Sequence, residues 1–464
     1  MSGSAKLLAA LFAAVAAIQV GARAFYGVVL HDQADLVLFA QDWRPVHDEQ
    51  VPIYAWGMWL TMRLTGWAVW APDALKLAFL GLALSGLYRA GRNLGGAAAG
   101  LVSALSLVLL PTGHDDLLRE ATHSAGVIAF AALSFAVMTA PPARRSGWPL
   151  ALSWCGGLLM KHNMLIVMAS QVGAARMAGA RSGPMPRAAA IAAALAAPAY
   201  LVLATDLGAV RGGTAEFVTS GGGGGRWRGL GDLASSVLGE GALMFVLLGA
   251  AYAVLRRAGH RTTRAERMLL LTVPLAVAAY AVIVALGDVG TVRDRWLAPS
   301  LVALSPVAGS WIARGASVMA RTHVTTAMAA ALVALAIYRA ILPAIADGTG
   351  QDAMAARPYV RIADRLASAA ADADVIVFAD EQLAATAKVR HPHLLTYAGR
   401  TRGRIPPGAE RFLLAGHADG ADPAWMTQLI GALDCAPPDL TRWNYRFSNP
   451  ARYVLTLRRC VRPA

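Results

Sequence analysis

The sequence predicts a polytopic α-helical membrane protein that ends in a small α/β domain, and three observations carry that reading. Hydrophobic residues make up 56% of the 464 and charged residues only 15%, a balance foreign to water-soluble globular chains. Apolar runs of roughly bilayer length, separated by short arginine clusters, recur as far as residue 342. After Pro343 the composition changes to short apolar strands and amphipathic helices.

The net charge of +14 sits in clusters between apolar runs rather than on one face, so it reads as membrane topology and excludes nucleic acid as a partner. The opening MSGSAKLLAALFAAVAAIQVGA has the look of a signal peptide, but its apolar character persists to Leu30, and an uncleaved first span is expected. Spans are then predicted over 7–30, 74–91, 95–110, 124–140, 148–160, 164–176, 187–205, 234–255, 268–287, 297–313 and 324–342, about eleven helices in all.

The fifth and sixth spans are short and divided only by Lys161-His162-Asn163. Counting them separately puts Arg89, Arg92, Arg144, Arg145, Arg176, Arg181, Arg187, Arg256, Arg257, Arg261, Arg264, Arg267, Arg314 and Arg321 on one side, the cytoplasmic one. Glu266 is almost the only acid among them. The outer side then receives the acidic first loop, PTGHDDLLREATH at 111–123, the turn at Lys161, the glycine-rich loop 212–229, GDVGTVRDR at 287–295 and the tail. In the first loop, 34–42 and 53–65 have helical apolar spacing with Tyr54, Trp56, Trp59 and Trp67 as interfacial aromatics. The glycine run at 221–225 is expected to be a flexible spacer.

The domains predicted are a membrane domain over 1–345 and an outer α/β domain over 346–464. In the latter, YVRIADRLASAAADA and DPAWMTQLIGAL read as helices, and VIVFAD, LLTYAG, RFLLAG and NPARYVLTLRRC as strands. It has no glycine fingerprint after its first strand, and a cap over the membrane site is expected. Cys155 lies in an apolar run, while Cys435 and Cys460 share the tail and can pair if it faces an oxidising compartment.

Candidate chemistry begins with the acids of HDQADLVLFAQDWRPVHDEQVPIYAWGMW, from His31 to Trp59. Solvation of an outer loop explains any one of them; a general base at a membrane-facing site is the sharper alternative, and Asp32 is the candidate. His31, His47, His114, His123, Asp115, Asp116 and Glu120 offer oxygen and imidazole ligands for a divalent metal, but none has the spacing of a dedicated site. Glu120 and His123, three apart, share a helix face.

Asp32-Gln33-Ala34-Asp35 followed by Gln50, Pro52, Tyr54 and Trp56 resembles the first periplasmic loop of GT-C glycosyltransferases related to protein O-mannosyltransferases. The likeness is closest to the lipopolysaccharide core galacturonosyltransferases, with the lipid A aminoarabinose transferases more distant. Those loops read roughly Asp-Glu-Ala-acid, then Tyr-Gly-Pro-Gln-Pro-Pro-Leu-Tyr-Thr-Trp; here the glutamate is replaced by Gln33, and Asp35 one turn on can stand in for it. Thr122-His123, GGLLMKHNML ending its glycine stretch at Lys161, and RDRWLAPSLVAL with Arg295, Trp296 and Pro299 are similar to further family segments, in order, over about residues 1–345.

The resemblance implies a GT-C-like fold and inverting transfer of a hexosyl or hexuronosyl group from a polyprenyl-monophosphate carrier to a periplasmic glycan, lipid or protein acceptor, at the bacterial inner membrane. Asp32 would be the base; Asp35, Asp115, Asp116, Glu120 and His123 an acceptor or second acidic site; Lys161, Arg293 and Arg295 the phosphate ligands; Gln50, Tyr54 and Trp56 the support of the loop. The cations suit a departing phosphate, and the reaction needs no nucleotide. A transporter or flippase is the alternative from another class, and would place ionisable groups in mid-span and repeat its halves. A ligase or polymerase of diphosphate-linked glycans keeps the layout but would favour outer-loop arginines over an aspartate base.

Overall fold

The structure is a computed structural model and describes residues 2–46, 51–111, 122–141, 147–179, 184–205, 225–287, 289–348, 357–417, 423–444 and 452–463. Gln50, Asp115, Asp116, Glu120, His47, His114 and most of the glycine-rich loop lie outside them. Two compact units are formed, one from 1–16, 44–54 and 76–336, the other from 17–43, 55–75 and 337–464.

The first unit is helical. It takes in most of α4 (Ala71–Leu105), then α5 (Thr122–Thr139), α6 (Gly147–Leu158), α7 (Met164–Met177), α8 (Met185–Thr205), α9 (Gly225–Arg257), α10 (Arg264–Gly287), α11 (Ala298–Leu301), α12 (Leu304–Gly315) and the start of α13 (Val318–Gly348). α4 covers two expected spans and breaks between them, at Gly95 and Gly96. Gly96 has φ +82° and ψ −172°, a conformation that only glycine adopts without strain.

Six helices among the described residues are long and apolar enough to cross a membrane, and two shorter apolar ones, His123–Thr139 and Met164–Met177, accompany them. Only 11% of the most apolar stretch of α13, and of α1 (Gly3–Tyr26), is buried within the protein. Such apolar surface requires lipid around it, and the helix satisfies its own backbone there. The expected division of 148–176 is present, α6 ending at Leu158 and α7 opening at Met164.

At the arginine-rich end of α10, Thr263 and Glu266 form a reciprocal cap, the Glu266 amide donating to the threonine hydroxyl (3.3 Å) and the Thr263 amide to the carboxylate (2.7 Å). Arg314 also donates to this buried carboxylate. Glu266 is thus both capped and paired.

The second unit holds α2 (His31–Phe39), most of α3 (Pro52–Thr65) and the C-terminal domain. In that domain come α14 (Tyr359–Ala369), β1 (Val375–Phe378), α15 (Glu381–Arg390), β2 (Thr396–Ala398), β3 (Arg411–His417), α16 (Ala424–Gly431), β4 (Asp434–Cys435), β5 (Asp439–Asn444) and β6 (Arg452–Val461). The sheet runs β2-β1-β3-β6-β4, with β5 also on β6; β1 is parallel to β2 and β3, and β6 antiparallel to its neighbours. Val375, Val377, Phe412, Leu414, Met426 and Cys460 form the core of one face. Tyr359, Ile362, Ala363 and Leu366 are the buried stripe of α14, spaced as one helix face. Cys435 and Cys460, opposite each other on β4 and β6, form a disulfide.

α15 is absent from the sequence reading because its residues 382–389 are all buried, which erases the amphipathic period. It packs on α2. The Val29 amide donates to the Thr386 hydroxyl (3.2 Å), Gln382 donates to the Val29 carbonyl (3.3 Å), and Gln41 exchanges two bonds with the Thr396 backbone (2.6 and 3.2 Å). Compactness therefore groups residues 17–43 and 55–75 with the C-terminal domain. α2 itself is buried nearly all round, from Leu36 to Phe39 without a break, whereas α3 exposes Leu60 and Leu64, the side-chain pattern of an interfacial helix.

Candidate functional site

In the first unit, the turn between α6 and α7 carries Lys161. The Lys161 amide donates back to Gly157 (3.0 Å) and closes α6, leaving the lysine half-buried in the turn. Two residues on, the Asn163 side chain donates to the carbonyl of Trp296 (3.3 Å), 133 positions away. Tyr280 of α10 donates to the same oxygen (2.7 Å) and its ring stacks on Trp296. That carbonyl belongs to the short 3-10 helix Asp294–Trp296, which carries Arg295. One backbone oxygen therefore joins the lysine turn to the arginine segment.

His123, at the start of α5, donates from Nδ1 to the Met160 carbonyl (3.2 Å). Tyr54 is fully buried, its ring 5.1 Å from that of His123 and 5.6 Å from Phe79. Close approach of α5 to the turn depends on Gly126, where a Cβ would stand 2.5 Å from the Met160 sulfur. His162 points the other way, to the Tyr200 hydroxyl (3.1 Å). Partial desolvation of the ring and the neighbouring Lys161 hold the His162 imidazole below its ordinary pKa.

Of the expected phosphate ligands, Lys161 and Arg295 lie on the two segments that the Trp296 carbonyl links, while Arg293 stands exposed ahead of the 3-10 helix. Asp294 accepts from the Ser236 hydroxyl of α9. Sequence reasoning passes over Lys76, 1% exposed in α4 one turn before Phe79, and Glu240, 2% exposed in α9 one turn after Ser236. Each was visible as an ionisable residue inside an apolar run, a signal of function in itself.

In the second unit Asp32 lies in the first turn of α2, half-buried, where the helix dipole favours a carboxylate. Asp35, also half-buried, follows one turn later. Gln33 between them is fully buried: its amide donates to Asp73 (3.2 Å), which is paired with Arg23 (2.6 Å). Trp56 stacks on Trp43, centroids 6.4 Å apart. Gln50, Asp115, Asp116 and Glu120 fall outside the described residues. Among the described residues no group of three or more His, Cys, Asp or Glu could hold a metal ion.

A polytopic helical unit, an acidic helix after the first span, and a terminal sheet domain define a GT-C-like membrane fold. Solved structures similar to it include those of ArnT from Cupriavidus metallidurans. The structure bound to undecaprenyl phosphate matches with a TM-score of 0.64 at 14% identity, over 98% of both chains. The apo structure matches with a TM-score of 0.63 at 13% identity, over 98% of both chains. Neither a family model nor a curated protein matches the chain by sequence. At such identity the likeness is one of fold, and it extends from end to end.

Proposed function

We propose that this chain is an inverting glycosyltransferase that moves a hexosyl or hexuronosyl group from a polyprenyl-monophosphate carrier to a periplasmic glycan, lipid or protein, as lipopolysaccharide core galacturonosyltransferases do. The observation that supports the reading is the bond from Asn163 to the Trp296 carbonyl, which joins the turn carrying Lys161 to the 3-10 helix carrying Arg295. Cations carried on two linked segments suit the phosphate of a lipid carrier. They neutralise the charge that builds on the phosphate oxygen as its bond to the anomeric carbon breaks. Arg293 adds to them from the rim.

Asp32 takes the proton of the attacking acceptor hydroxyl. One displacement then inverts the anomeric carbon and releases the polyprenyl phosphate. Asp35, with Asp115, Asp116, Glu120 and His123, orients the acceptor, while Gln50, Tyr54 and Trp56 support the loop. The membrane is the bacterial inner membrane, the arginine-rich loops are cytoplasmic, and the C-terminal domain is periplasmic. The Cys435–Cys460 disulfide supports that side, since such bonds persist in oxidising compartments.

The test is transfer by purified protein from monophosphate and from diphosphate sugar lipids. Transfer from the monophosphate, abolished in Asp32→Asn, is expected. Full activity in a well-folded Asp32→Asn protein removes the base assignment, and preference for the diphosphate favours a ligase or polymerase.

A further inference from the structure

The residue that follows Asp32 is a glutamine where the related loops carry an acid, and its surroundings give a reason. Asp73 is 1% exposed and Gln33 fully buried. The Asp73 carboxylate accepts from Arg23 Nε through one oxygen (2.6 Å) and from Gln33 Nε2 through the other (3.2 Å). Arg23 also donates to the Val28 carbonyl (2.8 Å). The chain Val28–Arg23–Asp73–Gln33 thus runs from the connection ahead of α2 into its first turn, on the peptide unit next to Asp32.

We propose that Arg23, Asp73 and Gln33 form a positioning triad that holds the first turn of α2, and with it Asp32, and that residue 33 must be uncharged for it to do so. An ionised carboxylate only accepts hydrogen bonds, so the group facing Asp73 must donate. An amide does so without adding charge. A carboxylate at position 33 would face a second carboxylate in a buried site, where Asp73 is already matched with Arg23. Either the new side chain takes up a proton, or the first turn moves away and takes Asp32 with it. The triad rests on Asp32 being the base, and is a support for it rather than part of the chemistry.

Gln33→Glu is the test, with Asp73→Asn and the double variant Gln33→Glu/Asp73→Asn. In the double variant the amide at position 73 still accepts from Arg23 and now donates to the carboxylate at position 33, so the acid and the amide have exchanged places. Gln33→Glu is expected to lower kcat about tenfold or more with the donor KM within about twofold, since a displaced base weakens the chemical step and not carrier binding. Asp73→Asn takes the counter-charge from buried Arg23, and a loss of similar size or larger is expected. The double variant should return kcat to within about threefold of wild type, the signature of coupled residues.

Wild-type kcat in Gln33→Glu, or a double variant no better than its parents, overturns the triad. A lower yield with unchanged kcat per folded molecule also overturns it, because a purely structural role predicts that outcome. If Gln33→Glu does not fold, the double variant decides: recovery of folding and kcat together supports the triad, and failure to recover overturns it. Asp32→Asn separates this from the reading beneath it. If Asp32→Asn is fully active the base reading falls; if it is inactive and Gln33→Glu is normal, the triad alone falls.

Discussion

The carbonyl of Trp296 is the joint between the two segments that carry Lys161 and Arg295, and a double-mutant cycle on its donors measures how much the joint is worth. Tyr280 donates to it at 2.7 Å and Asn163 at 3.3 Å. A neutral hydrogen bond in good geometry contributes about 1 kcal/mol net, and a long one about half that. Tyr280→Phe keeps the ring stacked on Trp296 and removes the shorter bond; Asn163→Ala removes the longer. Either single variant leaves the oxygen with one of these two donors. The double variant removes both, adding a desolvation cost of about 1 kcal/mol. The double loss of stability, read by thermal unfolding in detergent, should therefore exceed the sum of the singles by about 1 kcal/mol. Once the joint is open the arginine segment is no longer tied to the lysine turn, and the KM for the polyprenyl-phosphate donor should rise about fivefold, the affinity equivalent of that energy. Losses that add within about 0.3 kcal/mol, with an unchanged donor KM, would refute the joint.

Lys161→Ala and Arg295→Ala should each raise the donor KM or lower kcat about tenfold or more, and Arg293→Ala less, in transfer assays on purified enzyme; Arg295→Lys should not restore activity if the phosphate is gripped by two guanidinium hydrogens. Replacing Cys435 and Cys460, 25 positions apart, by serine should destabilise the C-terminal domain by about 3 kcal/mol on the loop-entropy model, seen as earlier proteolysis that reductant reproduces in the wild type. Asp374 accepts from the Arg411 amide, the Arg411 guanidinium and the Glu410 amide, which together hold its carboxyl down at about 2, from an ordinary 3.8. A depressed carboxylate stabilises the fold fully above its ordinary value and loses that contribution as pH falls through the folded one. Asp374→Asn should therefore flatten the fall in melting temperature between about pH 4 and about pH 2; an unchanged slope refutes it.

Much of this architecture is written in hydropathy, because each helix facing lipid must advertise it along its whole length. The break at Gly95–Gly96, the division at Lys161–Asn163, and the strands at 375, 396, 411 and 452 all coincide with signals local to the sequence. Elements enclosed on every side advertise nothing: α15, buried from 382 to 389, has no polar face to betray its period. The same limit governs the site. Lys161 and Arg295 were legible as rare cations at the ends of outer spans, but the carbonyl joining their segments spans 133 positions and leaves no pattern in either.

Gln33 shows the limit most clearly, since read along the chain it is a missing acid beside Asp32. Read in space it is a donor to Asp73, a residue 40 positions away, which Arg23 pairs from the far end of α1. Arg23 and Asp73 each interrupt or border an apolar run and could have been marked from sequence as ionisable groups in need of a partner. Their pairing explains the amide: with the acid and the cation already matched, a second carboxylate at 33 would face the first, and neutrality there follows from the pair rather than from the chemistry of the neighbouring aspartate. A loop motif that departs at one position from the pattern it resembles is therefore better tested by asking what that side chain touches than by counting the carboxylates that remain.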